Sequence, residues 1–292
     1  MTFAPLPAPM SRRCGNCARD DRPARVCNDT RDPAGPCHTG LLAVVIAATY
    51  RSDMLNGCVA LVVGGTSGIG AGIADAFASV GAVVTVTGGT QPEADAARSA
   101  PGFRGRDALM LDVRDDASVQ TLIGNLPRLD ILVNCAGIIR RGVEHEPAEF
   151  EKTIAVNLTG SMRCCSHARA KLKAAQGSIV NIGSVYAFLG APHAPGYASS
   201  KGGIVQLTRS LAVAYASDNI RVNAVAPGWI STQLTAPVEQ DAAKSAAILA
   251  RTPLNRWGKP VDVAGAVMFL VSPAAAFVTG ALLSVDGGYV IA

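Results

Sequence analysis

The sequence predicts a single α/β domain built on a doubly wound parallel sheet. Three observations predict it. Seven short runs rich in Val, Ile and Leu recur along the chain, most without polar alternation, as strands covered on both faces must be. Longer stretches suited to helices separate them, and strands alternating with helices make βαβ units. A glycine-rich turn stands where the first run gives way to a helix, the place at which such sheets take a phosphate-bearing ligand.

The first strand, Val59 to Val63, leads through Gly64-Gly65-Thr66-Ser67-Gly68-Ile69-Gly70 into a helix over Ile69 to Val80. Glycines allow the tight turn and a close backbone approach to a pyrophosphate, and the helix N-terminus offers free N–H groups with a partial positive charge. Gly64, Thr66, Ser67, Gly68, Ile69 and Gly70 are therefore candidate cofactor-binding positions in a Rossmann-type sheet. The spacing is Gly-x-x-x-Gly-x-Gly, not the Gly-x-Gly-x-x-Gly of the long dinucleotide fingerprint. The second strand, Val83 to Thr87, should end in the residue that reads the adenosine ribose. An acid there favours NAD. Gly88-Gly89-Thr90 offers neither acid nor base. The cofactor is NAD or NADP, and the missing acid, which removes one repulsion against a 2′-phosphate, tilts the reading to NADP.

The third and fourth strands are Ala108 to Leu111 and Ile131 to Asn134, and a long helix spans Phe150 to Ala175. The fifth, Ser178 to Ile182, brings Ser184 to its end. The helix from Tyr197 to Ala216 follows, then strand Arg221 to Ala226, helix Val261 to Leu270 and strand Leu282 to Val285. Tyr197 and Lys201 are four apart and share a helix face. A free tyrosine titrates too high for acid–base work at neutral pH. A nearby lysine ammonium is expected to lower it. Ser184, thirteen residues before Tyr197, is placed to hydrogen-bond the substrate oxygen whose proton Tyr197 handles. Charge develops on that oxygen as hydride moves, so two fixed donors lower the barrier.

With these residues in place, the chain from about Met54 to Ala292 resembles a short-chain dehydrogenase/reductase. The matching residues are Gly64, Gly68 and Gly70; Asp112-Val113; Asn134-Cys135-Ala136-Gly137; Asn157; Ser184; Tyr197 with Lys201; Pro227-Gly228; and Asp286-Gly287-Gly288. The resemblance implies that Asp112 and Val113 contact adenine, and that Asn134, Ala136 and Gly137 line the cofactor. It also implies that Lys201 holds the nicotinamide ribose, Asn157 keeps a proton-relaying water, and Pro227, Gly228, Ile230 and Thr232 flank the nicotinamide. The chain departs from the family at Val63, usually Thr, at Cys135, usually Asn, and in a short segment between Asp112 and Asn134. None of these removes a catalytic group.

Within the family the chain is similar to the 2-deoxy-gluconate 3-dehydrogenase and gluconate 5-dehydrogenase groups, through Gly137-Ile138-Ile139-Arg140-Arg141, Lys244 to Arg251 and Asn255-Arg256-Trp257-Gly258. Arg140 and Arg141 leave the fourth strand on the cofactor side, where an arginine pairs bidentately with a carboxylate. They compete with a reading as a solvated or subunit-interface pair. Trp229 falls in a loop expected to border the substrate, and the stretch Pro237 to Leu254 is expected to form a lid. The function expected is hydride transfer between NAD(P) and a secondary alcohol or ketone, a sugar acid by preference. A 3-oxoacyl-carrier-protein reductase is the rival enzyme. A non-catalytic NAD(P)-sensing protein is the rival of another class, and the intact Ser184, Tyr197 and Lys201 weigh against it. The resemblance implies a homotetramer packed through the Tyr197 helix.

The net charge of +4 comes with no basic cluster interleaved with aromatics, so nucleic acid is not expected as a partner. The longest apolar run, Leu41 to Ala48, is too short to span a bilayer, so no membrane role is expected. Residues 1–53 are rich in Pro and Arg, lack Lys, and form either a disordered leader or the product of a misplaced start, the domain proper running over 54–292. Cys14-x-x-Cys17 with Cys27, Cys37 or His38 lacks the second close pair that a zinc site needs, so no metal is expected. Of the eight cysteines, Cys58, Cys135, Cys164 and Cys165 sit in apolar or helical settings, which fits a reducing, cytoplasmic compartment.

Overall fold

Seven parallel strands form one sheet in the order β3-β2-β1-β4-β5-β6-β7. They are β1 (Val59–Val63), β2 (Val83–Gly88), β3 (Arg106–Met110), β4 (Ile131–Asn134), β5 (Ser178–Ile182), β6 (Arg221–Pro227) and β7 (Leu282–Val285). These observations come from a computed structural model that describes residues 53–103 and 106–292, within one compact unit, Cys37–Ala292. The leader expected over residues 1–53, with its Cys14-x-x-Cys17 pair, lies outside the described residues apart from Asp53.

The strand order reverses between β1 and β4, because the chain winds outward through β2 and β3 before returning to start β4. Val63 at the end of β1 is level with Thr87 of β2 and with Asn134 of β4. The carboxyl ends of the central strands therefore finish together, and the connections beyond them part to leave a crevice.

Both faces of the sheet are covered, which is why the strands read as unbroken apolar runs. Helices α1 (Gly68–Ser79) and α9 (Pro260–Val271) pack Ile73, Phe77, Val263 and Met268 against Ala60, Val62 and Val86. On the other face α3 (Asp116–Asn125), α5 (Ser161–Ala175) and α6 (Pro195–Tyr215) bring Ile123, Cys165, Leu172 and Leu211 against Leu61, Val63 and Val222. Alternate residues of β1 thus feed opposite cores. Cys164 and Cys165 are free thiols buried as small hydrophobes, and Cys58 and Cys135 are also free.

Two details differ from the sequence reading. The edge strand β3 runs from Arg106, ahead of the expected Ala108, to Met110, and its edge position leaves Asp107, Leu109 and Met110 exposed, which breaks the apolar pattern that marks a central strand. The helix expected over Phe150 to Ala175 starts at Pro147 as α4 (Pro147–Ile154) and runs through a π-helical segment, Ala155–Gly160, before α5. Such a wide turn interrupts a helix most often at a functional position, and this one carries Asn157. The segment that the resemblance marks as short still folds the ten-residue α3, capped by Asp115, whose carboxylate accepts from the Ala117 and Ser118 amides. The remaining helices are α2 (Gln91–Ser99) and two in the expected lid, α7 (Ala236–Glu239) and α8 (Ala242–Arg251).

Candidate active site

The turn after β1 is the floor of the site. Gly64 has φ +78°, and a Cβ on it would fall 2.5 Å from the Ala136 amide nitrogen, so only glycine lets the β1 and β4 loops meet here. Helix α1 begins at Gly68. Its N-cap, Ser67, makes no side-chain cap bond and the first turn holds no acid. The helix therefore presents free N–H groups and the positive end of its dipole to the crevice.

A cavity of about 720 Å³ runs along these strand ends. Gly64, Thr66, Ser67, Gly68 and Ile69 line it, as do Asp112, Val113, Ala136, Gly137, Pro227, Gly228, Ile230 and Thr232, with Ser184, Tyr197 and Lys201. Nearly every expected cofactor position is on one continuous wall. Two are behind it. Gly70 packs against the backbone of Gly64. Asn134, expected to line the cofactor, is buried between strands, where its amide donates to Asn181 Oδ1 at 2.8 Å. Asp112 keeps its place on the wall, but Arg114 clamps its carboxylate through Nε and Nη2 and holds its pKa below the usual range. The backbone cradle at Gly64 and the bare helix N-terminus fit a dinucleotide pyrophosphate.

Sequence reasoning missed two charged groups of this wall, Arg114, which clamps Asp112, and Glu93. Glu93, in the first turn of α2, folds back so that its Oε2 accepts from the Gly89 amide at 2.7 Å. It lines the cavity beside Gly88, Gly89 and Thr90, where β2 itself supplies no acid. The signal that could have found it is the Thr90-x-x-Glu93 capping pattern.

At the other end Tyr197 and Lys201 enter from the first turns of α6. Lys201 is buried, and its ammonium donates to the Ile182 carbonyl at 2.8 Å and lies 5.5 Å from the centre of the Tyr197 ring. Burial pushes Lys201 down to about 8. Burial also pushes Tyr197 up to about 12, against the pull of a hydrogen bond from Ser184 and of the Arg141 charge. The expected lowering of Tyr197 does not appear in the protein itself: the downward pull comes from Ser184 and Arg141, not from Lys201, and desolvating a phenolate costs more than these neighbours return. Ser184 is buried and accepts from the Tyr186 amide at 3.2 Å. Asn157 does not touch the cavity. Its Oδ1 accepts from Ile138 N at 2.8 Å, and its amide donates to Ile138 O and Ser200 Oγ. It ties the β4 loop to α6 next to Lys201, and Gly137 leaves open the gap between Asn157 Oδ1 and Lys201 Nζ.

The two arginines diverge. Arg140 forms an ion pair with Glu149 and is spoken for. Among the described residues Arg141 pairs with no carboxylate. Its guanidinium reaches the Leu234 carbonyl at 3.4 Å, and its charge acts on both Tyr197 and Tyr186. Trp229 stands in a run of edge-to-face rings. Tyr197 meets Tyr186 at 6.1 Å, Tyr186 meets Trp229 at 6.3 Å, and Trp229 meets Trp257 at 5.7 Å. Among the described residues no group of His, Cys, Asp and Glu is placed to hold a metal, and no helix is long and apolar enough to cross a membrane.

A family model described as enoyl-(acyl carrier protein) reductase matches residues 63–290. The cis-4-hydroxycyclohexanecarboxylate dehydrogenase of Sinomonas cyclohexanicum is 41% identical over 241 residues, covering 79% of this chain and 96% of that protein. The 2-dehydro-3-deoxy-D-gluconate 5-dehydrogenase of Pseudoalteromonas atlantica is 39% identical over 251 residues, covering 80% and 96%. A crystal structure of a gluconate 5-dehydrogenase from Burkholderia cenocepacia, in complex with NADP and tartrate, superposes with a TM-score of 0.77 at 34% identity, covering 83% of this chain and all of that one. With its parallel sheet, glycine turn and clustered Ser184, Tyr197 and Lys201, the chain belongs to the short-chain dehydrogenase/reductase family and is a nicotinamide-dependent oxidoreductase acting on CH–OH groups.

Proposed function

We propose that the chain interconverts a secondary alcohol and a ketone on a small carboxylate-bearing substrate of the sugar-acid kind. Arg141 carries this reading. It is a cation near the acid–base tyrosine with no carboxylate among the described residues to neutralise it, and a planar guanidinium matches a carboxylate in two parallel hydrogen bonds. Tyr197 gives or takes the hydroxyl proton, and Ser184 steadies the same oxygen. Lys201 supplies the cation that supports the phenolate and holds the nicotinamide ribose, with Asn157 fixing the loop beside it. A bound nicotinamide supplies or accepts the hydride. The turn at Gly64 to Gly70 would hold its pyrophosphate, and Val113, Ala136, Gly137, Pro227, Gly228, Ile230 and Thr232 its rings and riboses. Glu93 supports NAD over NADP, because a fixed carboxylate accepts a ribose hydroxyl and repels a 2′-phosphate. This reverses the tilt that the bare end of β2 suggests. A homotetramer packed through α6 and a reducing, cytoplasmic setting complete the reading, the second supported by the free thiols.

The test is reduced-nicotinamide absorbance with gluconate, 2-deoxy-gluconate, 5-keto-gluconate, a neutral polyol, a hydroxycyclohexanecarboxylate and a 3-oxoacyl thioester, each with both cofactors. Turnover is expected on carboxylate-bearing alcohols. Arg141→Ala should raise their KM by roughly tenfold to a hundredfold, the worth of one charge-assisted contact, and Arg140→Ala should not. Turnover on the thioester alone would replace the sugar-acid reading with a lipid-synthesis one.

A further inference from the structure

Helix α6 starts badly on its own terms. Its N-cap, Ala194, has no side chain to offer the first-turn amides, and that turn holds no acid. The missing acceptor comes from another segment. Glu144, in the loop after β4, is buried at 1% exposure. Its Oε2 accepts from the Tyr197 amide at 2.7 Å, and its Oε1 accepts from the Arg140 amide at 2.7 Å and the Thr153 hydroxyl at 3.1 Å. Gly196 makes room for it, since a Cβ there would sit 3.2 Å from Oε2. Two further bonds fasten the same loops together, Gly142 N to His193 O at 2.7 Å and His145 Nε2 to Pro192 O at 2.9 Å.

A buried carboxylate is tolerated only when donors surround it. Here all three partners are donors, and they come from three places: the β4 loop carrying Arg141, helix α4, and the amide of Tyr197 itself. We infer that Glu144 is a positioning residue that caps the catalytic helix and registers the Tyr197 hydroxyl against the substrate loop of Arg141. The inference rests on the reading of Tyr197 as the proton donor and acceptor. A carboxylate at a helix N-terminus also favours the helix dipole, but the stronger consequence is geometric. A shift of the first turn of α6 moves the reacting hydroxyl, and a small misplacement of a reacting group costs a large factor in rate.

Glu144→Gln keeps the shape and removes one acceptor, so an NH2 must face a donor at either Tyr197 or Arg140. The variant should lose kcat by roughly tenfold or more while its dissociation constant for the reduced cofactor, read by tryptophan fluorescence, moves by less than about twofold. Thr153→Val removes a different partner of the same carboxylate, and should lower the melting temperature while leaving kcat within about twofold. A role in stability alone would make the two variants behave alike, with lower melting temperatures and normal kcat, and that result overturns the inference. Gly196→Ala crowds the cap without removing a charge, and covers the case in which Glu144→Gln does not fold. It should show the same selective loss of kcat, and an unchanged kcat would overturn the inference equally. Tyr197→Phe separates the two levels. If it retains activity, the acid–base reading has failed regardless of Glu144. If it is inactive and Glu144→Gln is normal, only the positioning role has failed.

Discussion

Lys201 is a residue whose chemistry is set by its environment. Buried without a carboxylate, it sits at about 8, well below a free lysine, while Tyr197 is held up at about 12. In the reducing direction Tyr197 is therefore protonated throughout the accessible pH range and ready to donate. What changes with pH is the ammonium proposed above to steady the phenolate left behind. As pH rises through about 8 that charge is lost, so kcat/KM for ketone reduction should fall above it. A profile flat from pH 6 to about 10 would remove Lys201 from the proton step. The stability sign is separate. The unfolded chain binds the lysine proton more tightly than the folded one, so between about 8 and the ordinary lysine pKa this group makes folding more favourable as pH rises. Glu93 gives a second prediction. Glu93→Gln should tighten NADP+ binding by roughly tenfold relative to NAD+, the scale of one screened charge–charge contact. Calorimetric titration checks this, and an unaltered ratio would reduce Glu93 to a helix cap.

Helix α6 works at the scale of a whole element. Its first turns carry the chemistry and one side closes the core through Leu211 and Tyr215. Its other side is unusually bare. A Cβ on Gly202 would meet nothing within 4 Å, and Val213 is 82% exposed. A long helix with small residues and an isolated exposed valine suits packing against a second copy. If the proposed tetramer packs through α6, Val213→Glu should lower the mass seen in light scattering to that of a dimer or monomer. An unchanged mass would place the subunit contact elsewhere. The lid has its own anchorage: Trp257 Nε1 donates to Ser245 Oγ at 2.9 Å and Ser231 Oγ donates to Glu239 at 2.7 Å. The second bond joins the expected lid to the loop that carries Trp229 and the first joins it to Trp257, whose ring packs on Trp229, so the expected lid and that aromatic wall should move together.

Across the molecule, what could be read in the sequence was what repeats or what is local. The central strands were legible because burial on both faces leaves an apolar run that few other structures produce, and β1 shows this with its side chains feeding both cores, whereas the exposed edge strand β3 was placed less well. Tyr197, Lys201 and Ser184 were legible because one helix and one strand end carry all three. What depends on distant loops was not. Glu144 looks like any surface acid, and only the meeting of the β4 loop with α6 buries it. Arg140 and Arg141 are neighbours in sequence, yet one turns to Glu149 and the other toward Tyr197. Glu93 reaches the end of β2 from a helix turn. Its capping pattern was visible, but the direction of its carboxylate was not.

The ring-to-ring contact of Trp229 with Trp257 has an optical meaning. These are the chain's two tryptophans, they lie 5.7 Å apart, and the indole nitrogen of Trp229 is buried without a hydrogen-bond partner. All of the molecule's indole emission therefore arises near the proposed reaction centre, where the expected lid meets the aromatic wall. Reduced nicotinamide absorbs where indole emits, so energy transfer would dim that emission as the coenzyme arrives. A change in lid position would alter its colour by changing what surrounds the free N–H. Loading and closing could then be followed as two separate signals from an unlabelled protein.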